Sequence, residues 1–261
     1  MRGRTPQVVL LVAANVVGAV AFAWPFLLPA LSGATGGEGS SGRGDDWRWI
    51  LALLLVLLGG ILFIQLGRGG LGPKTIALIA VLGGAMVALR LPGYVLGFSA
   101  VFIVPLVAGN AFGPGFGFTL GAVGMFASGL FIGGLGPWLP FQMIAMGWVG
   151  AGAGLLPRGD RWAVRLGALA AYGVAAGFCY GALTNLETWP FLAYGSGVSW
   201  VPTDTAAANL DHYLQYYVLT SSYWDTFRAV GNLVLVLVLG RPLLGTLDRA
   251  ARTMHLELRP V

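Results

Sequence analysis

The chain has 261 residues, 57% of them hydrophobic and only 10% charged, with 42 glycines and a formal net charge of +5. Soluble domains carry about 25% charged residues, so this composition excludes a soluble globular protein and points to one solvated by lipid. The positive balance does not mark a nucleic-acid binder, because the basic residues lie in short segments between apolar runs.

A membrane-spanning helix needs about 20 mainly apolar residues. Eight runs are candidates in chain order: 7–30, 47–66, 75–90, 95–111, 115–132, 139–156, 162–184 and 213–240. The first follows Arg2 and Arg4, as a signal peptide would. It is longer than the usual signal core of about 15 residues, and Trp24, Pro25 and Pro29 suit an interfacial end, so a retained helix is expected. The fourth run is short and contains Pro105. Only the stretch 133–143, GGLGPWLPFQM, separates the fifth from the sixth, and Gln142 is its one polar side chain.

Lys and Arg collect on the cytoplasmic side of membrane proteins. With the N-terminus inside, that side holds Arg2, Arg4, Arg68, Lys74, Arg158, Arg161, Arg165, Arg241, Arg249, Arg252 and Arg259. The opposite side holds only Arg43, Arg48 and Arg90, while Arg228 falls within the last run. The pattern predicts a multi-pass protein of the cell (plasma) membrane with both termini cytoplasmic. Three segments then face outward. Segment 31–46 is a Gly/Ser-rich linker, and 133–143 is a turn stiffened by Pro137 and Pro140. Segment 185–212 carries Trp189, Phe191, Tyr194 and Trp200, either as a lid over a site or as an interfacial aromatic belt.

Several chemistries are not expected. In Gly69-Gly70-Leu71-Gly72-Pro73-Lys74-Thr75, Pro73 removes a backbone donor that a phosphate loop needs. The two histidines, His212 and His255, are far apart, and no His/Cys/Asp/Glu group has metal-ligand spacing. No Gly-x-Ser-x-Gly elbow occurs. The chain is therefore expected to be no enzyme, without an ATPase site of its own and without metal or cofactor. The single Cys179 cannot form an internal disulfide.

Polarity inside the last run is confined to one stripe. At 100° per residue, Tyr217, Ser221, Asp225, Arg228 and Asn232 share an arc of about 80°. Ionisable residues within a membrane face a bundle interior or a wet cavity. Asp225 and Arg228, three apart, either pair to fix packing or line such a cavity, and the two are compatible. A second stripe, Ala80, Gly84 and Ala88, would let another helix approach closely, whether from this bundle or from a partner.

Two segments carry a family likeness: 112–122, FGPGFGFTLGA, and the Gly136-Pro137-Trp138-Leu139-Pro140-Phe141-Gln142 run within 133–143. Together with 224–232, WDTFRAVGN, they resemble the substrate-binding S component of energy-coupling-factor (ECF) vitamin transporters, of the actinobacterial type. The likeness covers roughly 74–243. It implies an all-α six-helix membrane core over 67–243, preceded by a two-helix extension over 1–66 and followed by a basic cytoplasmic tail over 244–261. It further implies capture of a vitamin or related micronutrient, here a cobalamin or corrinoid. Release inside would be driven by a separate membrane coupling protein and two cytoplasmic ATPase subunits. The resemblance places the binding pocket at Trp138, Gln142, Tyr217, Trp224, Asp225, Arg228 and Asn232. Gating loops would contain Arg90, Tyr94, Pro137, Pro140, Trp189 and Trp200, and Ala80, Gly84 and Ala88 would dock on the coupling protein. A stand-alone secondary transporter and a lipid-acting membrane enzyme are the alternatives. The first lacks a visible internal repeat and the second a suitable histidine.

Overall fold

A backbone without water must satisfy its own hydrogen bonds, which in a chain this apolar favours helices throughout. The computed structural model describes residues 12–13, 15–16, 18–23, 25–27, 53, 56, 73–96, 100–136, 138–159, 161–192, 195–201 and 203–253, without the side chains of 73, 94–96, 191 and 192. Most of 1–66, the segment 67–72 and the tail from 254 lie outside the described residues. The helices are α1 (Pro73–Leu96), α2 (Ile103–Phe112), α3 (Pro114–Ser128), α4 (Trp138–Ala153), α5 (Trp162–Leu192), α6 (Ala206–Thr220) and α7 (Ser222–Thr253). A 3-10 turn, Ala100–Phe102, leads into α2, and a π turn, Gly129–Gly133, extends α3. There is no strand among the described residues.

Four stretches are long and apolar enough to cross a membrane: Lys74–Gly93, Pro114–Gly133, Trp162–Pro190 and Ser222–Thr253. The expected spans 95–111 and 139–156 fold as shorter helices. α4 has 16 residues, and at about 1.5 Å per residue it falls short of a hydrocarbon core of about 30 Å. Every residue of α2 is buried. The physical reason for the short pieces is local. Gly113, at φ 105°, breaks α2 where a side chain would be strained, and Pro114 starts α3 at its first turn. The long helices thus surround two short buried ones.

The buried seam is built from backbone contact. A Cβ at Gly150 of α4 would overlap the Gly117 carbonyl of α3, and one at Gly117 would overlap the Gly150 carbonyl and reach 2.9 Å from Gly109 Cα of α2. Gly121 meets the Met146 carbonyl in the same way. Glycine therefore sets the distance between α2, α3 and α4.

The last predicted span, 213–240, is two helices. Ser221, at φ −124° and ψ −26°, separates α6 from α7. Thr205 caps α6 by accepting from Ala208 N. α7 then runs 32 residues, so the expected cytoplasmic tail begins as helix and stays so to Thr253. Where the N-terminal extension is described, it packs on the core: Phe22 lies 5.1 Å from Phe141 and 5.6 Å from Trp148, and Trp148 Nε1 donates to Asn15 Oδ1. Near the other end of that segment, Trp200 Nε1 donates to the Pro25 carbonyl at 2.8 Å.

One end of the bundle, predicted to be cytoplasmic, is closed by a polar clamp. Arg165 donates to both carboxylate oxygens of Asp248 at 2.6 and 2.9 Å and through Nε to Asn110 Oδ1 at 2.7 Å. Asn110 Nδ2 passes the network on to the Ala153 carbonyl. Burial, and then the Arg165 charge, pull Arg158 below the usual guanidinium range, with Asp248 acting the other way. α2, α4, α5 and α7 are thereby joined, which leaves the opposite end as the place for a site.

Candidate functional site at the Arg90 and Asp225 end

At that opposite end two polar clusters interrupt the apolar bundle. The first surrounds Asp225, the buried acid in the first turn of α7. Arg228, one turn on, donates to Asp225 Oδ1 and, at 3.3 Å, to the Gly177 carbonyl of α5. Tyr217 of α6 donates to Asp225 Oδ2 at 2.8 Å. The Arg228 guanidinium lies 5.3 Å from the ring centre of Tyr180 and 5.7 Å from that of Phe102, a cation–π setting that favours its charge. Asn232 donates to the Gly173 carbonyl at 2.9 Å, but its Oδ1 is buried without a hydrogen-bond partner.

Room for these side chains comes from α5. Gly173, Gly177 and Gly181 recur every four residues and face Asn232, Ala229 and Asp225. A Cβ at Gly181 would occupy the space of the Asp225 carboxylate. Phe102, Tyr180 and this glycine row were not among the predicted site residues. The row is visible in the sequence as a four-residue repeat of glycine, whereas Phe102 and Tyr180 carry no local signal.

The second cluster centres on Arg90 of α1. It donates to Ser128 Oγ of α3 at 3.0 Å and to Gln142 Oε1 of α4 at 2.9 Å. Trp138, the first residue of α4, is exposed, with its ring against Gly136.

The predicted pocket residues are thus divided. Tyr217, Asp225, Arg228 and Asn232 come together, while Gln142 belongs with Arg90. Trp224 is 55% exposed and stands edge-on to Tyr223, 5.5 Å away, on the outward face of α7. Of the gating residues, Trp189 is fully buried, donates to the Val198 carbonyl and stands edge-on to Tyr213. Pro140 is buried in α4. Pro137 and the Tyr94 side chain lie outside the described residues. Ala80, Gly84 and Ala88 are all exposed on one face of α1, and nothing lies within 4 Å of a Cβ built on Gly84.

No family model, curated protein or solved structure matches the chain. Function must therefore be argued from the two clusters.

Proposed function

We propose that the chain is the substrate-specific subunit of an ECF-type importer and binds a vitamin-like solute at the Asp225 cluster. The observation that carries this is the unpaired, buried Asn232 Oδ1 one turn below Arg228. An orphaned buried acceptor costs about 1–3 kcal/mol, a cost that a ligand donor would remove. In the same cluster, Tyr180 and Phe102 flank Arg228 and Tyr217 bonds Asp225, which supplies the aromatic faces, and the Asp225–Arg228 pair the directional groups, that a small-molecule pocket requires. The six-helix core, the corrinoid ligand and the inside release belong to this same reading. It is tested by a thermal-shift screen of the purified full chain, without ATP, against cobalamin, flavin, thiamine and folate compounds. One saturable stabilisation is expected, and none across the series would sink the binding of those ligands.

The exposed Ala80–Gly84–Ala88 face supports a coupling-protein partner, because a helix backbone can approach it without meeting this chain's side chains. Gly84→Leu should abolish co-purification with the coupling protein and leave the melting temperature and the ligand shift unchanged. Loss of all three together would assign the face to the fold.

A further inference from the structure

We propose that Arg90, Gln142 and the π turn Gly129–Gly133 form an oxyanion site, which takes a carboxylate or phosphate group carried by a small solute or a lipid headgroup. The first ground is charge. Arg165 is neutralised by Asp248 and Arg228 by Asp225, but Arg90 has no carboxylate partner among the described residues. Its two hydrogen-bond partners, Ser128 Oγ and Gln142 Oε1, are both neutral. A guanidinium carries a permanent charge, and its remaining N–H groups are set out in the fork that matches two oxygens of one anion. Arg90 lies near the end of the membrane-length stretch Lys74–Gly93, where ionisable groups are usually paired, so a counter-charge is missing here.

The second ground is shape. Ser128, fully buried, and Gln142 come from different helices and hold the guanidinium from two sides. A Cβ at Gly133 would stand 3.3 and 3.4 Å from Nη1 and Nη2, tighter than ordinary contact, so glycine leaves that flank of the guanidinium open. Gly134 follows at φ 73°, exposed and with nothing within 4 Å of a Cβ, so the chain turns away from the cation. A π turn within a helix frequently marks a functional site, and this one ends at Gly133, against the arginine of the two clusters that lacks an acid. Gln142 also brings an amide N–H₂, a donor suited to a second anion oxygen.

The inference rests on the substrate-binding reading only for what the anion would do, and its test is separate. Inorganic phosphate is titrated into the full chain in a neutral detergent, with ionic strength held constant by chloride, and the melting temperature is read. Wild type should gain about 5 °C at about a hundredfold excess over the dissociation constant. Arg90→Gln should lose that gain. Gln142→Glu should lose it too, while starting from a higher melting temperature, because it supplies a built-in carboxylate to Arg90. A parallel series replaces phosphate with micellar phosphatidic acid or diacylglycerol. Stabilisation by phosphatidic acid alone assigns the site to a lipid headgroup, and stabilisation by free phosphate assigns it to a solute. An equal phosphate response in wild type and both variants overturns the proposal, as does no response to either anion. A response that appears only in Asp45→Asn/Asp46→Asn would mean that this chain's own outer linker is the counter-ion, and the ligand inference falls. A vitamin screen without a hit leaves the phosphate result standing, and a flat phosphate titration leaves vitamin binding standing.

Discussion

Gly150→Ala should lower stability by about 3 kcal/mol, the upper part of the range for inserting atoms into a filled interior. The new methyl would meet the Gly117 carbonyl carbon and, at 3.0 Å, Gly117 Cα, which are backbone atoms and cannot rotate away. α3 and α4 would have to part, and because Gly117 also abuts Gly109, α2 would move with them. The control is built into the same chain. Gly84→Ala has open space around the new atom and replaces a glycine inside an exposed helix face, so it should be neutral or gain a few tenths of a kcal/mol. Melting temperatures of the two variants in one detergent decide the matter. A gain at both positions would mean that Gly150, like Gly84, responds only through helix propensity and that the seam does not set the helix spacing.

The lengths of the apolar runs made the helices legible, since only helix lets so apolar a stretch satisfy its own backbone. They could not separate a lipid-crossing helix from a short one shielded by neighbours, as α2 and α4 are, because both are apolar on every face. The break at Ser221 was hidden for another reason. The polar positions from Tyr217 to Asn232 keep a helical period across it, and serine is no strong breaker. Tyr217 nonetheless meets Asp225 across the break, where Ser221 N–H still donates to the Tyr217 carbonyl and Asp225 N–H to that of Ser221. Trp224 entered the expected pocket through the family likeness and not through this stripe. Within α7 the buried face runs through Asp225, Ala229, Asn232 and Val236, and Trp224 is about 100° from Asp225. The Arg90–Gln142 bond joins residues 52 apart, and nothing in a single sequence couples such a pair.

Arg228→Gln should be the most damaging single change at the site, costing about 3 kcal/mol. It removes the donor to Asp225 Oδ1 and leaves a carboxylate that is 2% exposed at its side chain with Tyr217 as its remaining partner. Asp225→Asn leaves the opposite orphan in a milder place, since the Arg228 side chain is 25% exposed and keeps the Gly177 carbonyl and two aromatic rings. The asparagine also retains an oxygen to accept from Tyr217. The two losses should therefore be unequal, with Arg228→Gln the larger. Combining them replaces the ion pair by an amide pair of similar size, and the double variant should recover most of the loss, with a coupling of about 3 kcal/mol in the cycle. Additive losses would show that each residue acts through separate contacts. The same three proteins also divide packing from binding. If the double variant regains its melting temperature but loses the ligand-induced shift, the charges are needed by the ligand. If it regains both, the pair holds α7 against α5 and the solute is recognised by Asn232 and the surrounding aromatic rings.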